Sequence, residues 1–92
     1  MANLTSIPVP ADAFCSRKIG EETFFMAMQG DVIHVLDGMG SYIWEAVDGE
    51  RSAEQILDLI CAEFDVARTE AEDDLLRFLD DLAAKELVRL ES

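Results

Sequence analysis

The chain has 92 residues, half of them apolar, with 20 acidic and 7 basic side chains and a formal net charge of −13. That length supports one domain with a modest core, and the composition excludes a disordered tail, a collagen-like repeat and a disulfide scaffold. So large an acidic excess also argues against nucleic acid and anionic lipid, whose recognition depends on Lys and Arg neutralising phosphate; peptides or proteins with basic patches are the natural complements.

Residues 1–13 hold both prolines, Pro8 and Pro10, and read as an extended lead-in to a single domain over 14–92. No apolar run approaches the roughly 20 residues of a membrane span. The N-terminus lacks the charged start and apolar middle of a signal peptide, so a cytoplasmic protein is expected. Cys15 and Cys61, 46 positions apart, read as free thiols.

From Phe14 to Asp37 the pattern suits strands. Phe14–Ile19 is a first candidate, closed by a turn at Gly20. Glu22–Met28 follows, with Phe24, Met26 and Met28 on one face; Gln29-Gly30-Asp31 supplies the next turn. Val32-Ile33-His34-Val35-Leu36 is the strongest β-branched run in the chain. Short connections make an antiparallel three-strand meander the simplest arrangement.

The period changes at Gly38. Gly40, Ile43, Trp44 and Val47 fall at helical spacing, and Asp48-Gly49 ends that helix. Ser52 with Gln55 forms a capping-box signature before a second helix, whose buried stripe is Ile56, Leu57, Ile60, Cys61 and Phe64. Thr69 with Glu72 suggests another box, opening a third helix to about Glu86. Leu87, Val88 and Leu90 finish the chain as a short extended piece. The fold class expected is α+β: a three-stranded antiparallel sheet followed by three helices. Charge follows the same division, −3 over residues 1–44 and −10 over 45–92, as solvated helical faces would give.

Catalytic chemistry finds little support. The lone histidine, His34, shares a strand face with Val32 and Leu36 and reads as a packed imidazole rather than a general base. No Cys–His pair, nucleophile elbow, phosphate-cradling glycine loop, zinc set or calcium loop is spelled out, so no catalytic residue, metal or cofactor is assigned.

Geometry offers more. The last strand of a meander is an edge, and an edge offers unpaired N–H and C=O groups spaced to receive an extended peptide. On the third helix Ala71, Leu75, Phe78 and Leu82 make a stripe for packing, while Leu76, Leu79 and Ala83 widen the apolar arc on one side. Leu76 and Ala83 would then line a groove beside the edge strand. Glu72, Asp73 and Asp80 would border it and favour basic guests.

Several runs, in order, resemble the PqqD-like family: Val35-Leu36-Asp37, Gly40-Ser41-Tyr42-Ile43-Trp44, Asp48-Gly49-Glu50-Arg51-Ser52, Glu54-Gln55-Ile56, Phe64-Asp65-Val66, Asp73-Asp74-Leu75-Leu76-Arg77-Phe78-Leu79 and Leu82-Ala83-Ala84-Lys85-Glu86-Leu87. The likeness spans about residues 14–90. It implies a winged-helix-like recognition element for ribosomally made precursor peptides. Such elements take the leader as an added strand between the third strand and the third helix. They present the remainder to a radical-SAM protein, a cyclodehydratase or a lasso-peptide leader protease. Carried onto this sequence, the strand side is Val32, Ile33, His34, Val35 and Leu36. The helix side runs from Glu72 to Ala83 and includes Asp73, Leu76, Leu79 and Asp80. Two departures stand out: Asp37 where the family often has Asn, and Glu86 where a Gly is common near the end of the third helix.

Two other classes share some of these features. A small acidic carrier protein matches the size and charge but is all-helical and needs a serine at a helix start, for which Ser41 is the nearest candidate. A winged-helix DNA-binding protein is allowed by the topology and opposed by the charge.

Overall fold

The strand-rich first half of the chain becomes a meander in the computed structural model, which describes residues 1–12, 14–27 and 30–91. Strands β2 (Phe14–Ile19), β3 (Glu22–Ala27) and β4 (Val32–Asp37) form an antiparallel sheet in the order β2-β3-β4. Met28 and Gln29, assigned above to the end of the second strand and to its turn, lie outside the described residues, as do Ala13 and Ser92. The inward face of β3 is set by Thr23 and Phe25, which are buried, while Phe24 and Met26 are half-buried on the other face. Phe25 is fully enclosed and meets the Trp44 ring edge-on at 4.6 Å, a pairing that adds specific geometry to the area it buries.

Three helices follow: α1 (Gly38–Ala46), α2 (Ala53–Glu63) and α3 (Arg68–Ala84). The α2 capping box forms as the sequence spells it. Ser52 Oγ accepts the Gln55 N–H at 3.3 Å and Gln55 Oε1 accepts the Ser52 N–H at 2.9 Å. The second box does not form. Helix α3 begins at Arg68, ahead of Thr69, with Ala67 at the N-cap and no side-chain cap. The Arg68 guanidinium reaches Asp58 of α2 at 2.9 Å, so an inter-helix ion pair occupies that first turn. Between α1 and α2, Asp48 Oδ1 accepts the N–H groups of Glu50 and Arg51, and these bonds hold its carboxyl below the usual range.

The chain ends make a second sheet that periodicity alone does not signal. Strand β1 (Ile7–Pro10) pairs antiparallel with β5 (Val88–Glu91), Pro8 opposite Leu90 and Pro10 opposite Val88. Proline cannot donate to a ladder, which suits a strand with one neighbour. The arm before β1 is also tied down. Ser6 and Leu4 carbonyls accept the Ala53 and Glu54 N–H groups at 2.8 and 3.0 Å, which satisfies donors that the start of α2 leaves unpaired. Ala2 N–H donates to Asp80 Oδ1 on α3 at 2.6 Å.

The core lies between the helices and the inward face of the β2-β3-β4 sheet. Ile56, Leu57, Leu75, Leu79 and Leu82 are fully enclosed there. Helix α3 closes with Glu86 N–H on the Ala83 carbonyl and Leu87 N–H on the Leu82 carbonyl, the two bonds of a Schellman turn. Glu86 occupies the left-handed position of that turn, φ 62°, where glycine is the unstrained residue.

Candidate peptide-binding groove

A three-stranded sheet has two margins, and one of them is β4. The N-terminal arm pairs with β5, and among the described residues the outer side of β4 has no partner strand. Three of its side chains are markedly exposed for apolar residues: Val32 at 56 %, Ile33 at 51 % and Val35 at 41 %. The register shifts by one residue between Phe25, which faces His34, and Met26, which faces Val32. Ile33 is therefore the extra residue of a β-bulge, a device that bends an edge strand away from indiscriminate pairing. His34 lies opposite Phe25 and its ring runs nearly parallel to it, 6.1 Å between centroids, so it is packed as the alternation suggests.

Next to the last residues of β4 a groove of about 380 Å³ opens toward α3. Its strand wall is Val35, Leu36 and Asp37; its floor includes Gly40, Ile43 and Ile60; its helix wall is Glu70, Ala71, Asp74, Leu75 and Phe78. Met39 and Val66 complete it. The floor is close-set. A Cβ added at Gly40 would lie 3.4 Å from the Phe78 ring and 3.5 Å from Leu36, in ordinary contact with both, so a longer side chain there would reach in between them.

On the strand side, Val35 and Leu36 of the expected residues line this groove, and Val32, Ile33 and His34 continue the same strand. On the helix side the groove lies on the opposite flank from the one expected. Glu72, Asp73, Leu76, Leu79, Asp80 and Ala83 do not line it. Leu79 is fully enclosed in the core, Leu76 and Ala83 pack partly buried against that core, and Asp80 is engaged by the N-terminal arm. The cause is geometric. The apolar arc of α3 is wide enough to have two flanks, and the arm reaches one of them at Asp80 while the other flank, with Glu70 and Asp74, faces β4. Ala71, Leu75 and Phe78 of the packing stripe line the groove as well, and the small residue Gly40 at the start of α1 faces Phe78 there.

Asp37 sits at the N-cap of α1, but its side chain makes no capping bond. It lines the groove instead. Ser41 is 2 % exposed, and its hydroxyl is hydrogen-bonded to that of Thr23, so it is not presented for a prosthetic arm. Six of the seven basic side chains are engaged with carboxylates: Lys18, Arg51, Arg68, Arg77, Lys85 and Arg89. A cationic face for phosphate is not assembled among the described residues.

The family of Coenzyme PQQ synthesis protein D (PqqD) matches residues 22–88, and the chain belongs to it. Among solved structures, the chain is similar to TbiB1, determined in complex with the TbiA(β) leader peptide. The TM-score is 0.78 with 38 % identity, over 88 % of this chain and 94 % of that one. The heterocyclase TruD shares the fold at a TM-score of 0.64 and 19 % identity, over 94 % of this chain but 12 % of its own length. Among curated proteins no match is found. No helix among the described residues is long and apolar enough to cross a membrane.

Proposed function

We propose that the protein binds the leader of a ribosomally synthesised precursor peptide as a strand added to β4, and presents the rest of the peptide to a modifying or processing enzyme. The chain itself performs no chemistry in this scheme. The observation that carries it is an unpartnered strand margin lying beside an apolar groove, in a chain 38 % identical to one solved with a leader peptide. The peptide-contacting set is the backbone of Val32, Ile33, His34, Val35 and Leu36 with the groove residues Phe78, Ala71, Glu70 and Asp74.

Magnitudes require both halves. A micromolar complex needs about −8 kcal/mol. Net gains of roughly 0.5–1.5 kcal/mol for each main-chain bond cannot supply this from one short edge once the cost of ordering the guest is met. An apolar side chain seated between Leu36 and Phe78 supplies the remainder, at about 25 cal/mol for each Å² removed from water.

The TbiA(β) leader peptide is a ready probe. Titrated into ¹⁵N-labelled protein, it should shift the amides of residues 32–37 and 70–78 and leave β1 and β5 unmoved. Shifts confined to β2, or to the β1–β5 pair, would place the peptide elsewhere and refute strand addition at β4.

A further inference from the structure

The carboxylates around the groove are conspicuous for having so little to hold. Asp37, Glu70 and Asp74 line it from two sides: Asp37 from the end of β4, and Glu70 and Asp74 from successive turns of one face of α3. Among the described residues no ion pair or side-chain hydrogen bond engages Asp37 or Glu70, and no Lys or Arg lines the groove. Asp74 has Arg77 at 3.7 Å, but both side chains are more than 70 % exposed, and so open a pair holds little energy. The N-cap position would let Asp37 spend its carboxylate on α1, and it does not. Glu70 favours the start of α3 through the helix dipole, a role that leaves its oxygens accessible.

Three like charges around one apolar hollow repel one another and gain only when a cation comes among them. We propose that the groove selects peptides carrying a lysine or arginine next to the apolar anchor residue, the cation being held by Asp37, Glu70 and Asp74. This deepens the leader-binding proposal and rests on it. The hollow takes the apolar side chain on Ile43, Ile60 and Phe78, and the rim takes the charge. Because only the last three residues of β4 line the groove, the basic residue belongs at the end of the guest strand that lies beside Asp37. The surrounding charge of −13 adds long-range attraction for such guests and speeds their encounter.

The test uses a positional-scanning library of acetylated decapeptide amides and the full chain, with binding read by fluorescence anisotropy. Selected peptides should carry Lys or Arg within three positions of a large apolar residue. Exchanging that cation for Gln should weaken binding about five- to tenfold. The same exchange should cost less than twofold in the triple variant Asp37→Asn, Glu70→Gln, Asp74→Asn. Between about 50 and 500 mM NaCl the unmodified protein should lose affinity more steeply than the triple variant, as screening of the groove carboxylates would require. Selected peptides that are neutral or acidic, or a cation-to-Gln exchange without effect, would overturn the charge selection while amide shifts in β4 left strand addition standing. A library with no binder would overturn both.

Discussion

The two flanks of α3 differ in what meets them. On one, Ala2 bonds to Asp80, Leu4 packs against the core, and the arm runs on into a ladder with β5. On the other, β4 stands across a groove with Val32, Ile33 and Val35 exposed. Both flanks are partly apolar, and both lie near an extended segment with hydrogen-bonding groups to satisfy. The difference teaches that the destination of the chain's own ends decides which seam is structural and which stays open. An arm that pairs with β5 completes the fold without blocking β4.

Substitutions on the two sides of that boundary should part stability from binding. The largest effect is expected in the core between the flanks. Leu79→Ala should lower the unfolding free energy by about 2–5 kcal/mol in urea titrations, as an enclosed leucine does when truncated. A loss below 1 kcal/mol would mean that Leu79 faces the guest. Next is the groove itself. Gly40→Leu places a side chain between Leu36 and Phe78 and should cut peptide affinity at least tenfold by calorimetry while moving the melting temperature little. Unchanged affinity would put the guest outside the groove. On the arm side, Asp80→Ala removes the acceptor for Ala2 and should cost about 1 kcal/mol, with faster amide exchange in residues 2–6 and intact peptide affinity. The smallest effect has the opposite sign. Glu86→Gly relieves a left-handed non-glycine residue at the end of α3 and should stabilise the protein by roughly 1 kcal/mol.

Much of the fold was legible because local rules and packing agree. The β-branched run of β4 and the Ser52–Gln55 box each state their element in a few adjacent residues. The β1–β5 pair was hidden for the opposite reason. Pro8 and Pro10 suppress any strand signal, and their partners lie at the far end of the chain, joined by contacts that no window of sequence spans. The Thr69–Glu72 box misled because α3 already starts at Arg68 with Ala67 at its N-cap, which leaves Thr69 inside the helix. For the candidate site, the strand was legible from composition. The helix wall was not. Leu76 and Ala83 extend the apolar arc of α3 as plainly as any groove residue, and only the path of the N-terminal arm separates the two flanks.

One measurement bears most directly on the claim that β4 accepts a guest backbone. A binding peptide is methylated at each backbone nitrogen in turn, and the affinity of each derivative is measured. In an added strand every second N–H faces β4, so affinity should fall sharply at alternate positions and hold between them. Losses repeating every three to four residues, or an even profile along the peptide, would mean that the groove holds a helix or isolated side chains, and would contradict strand addition.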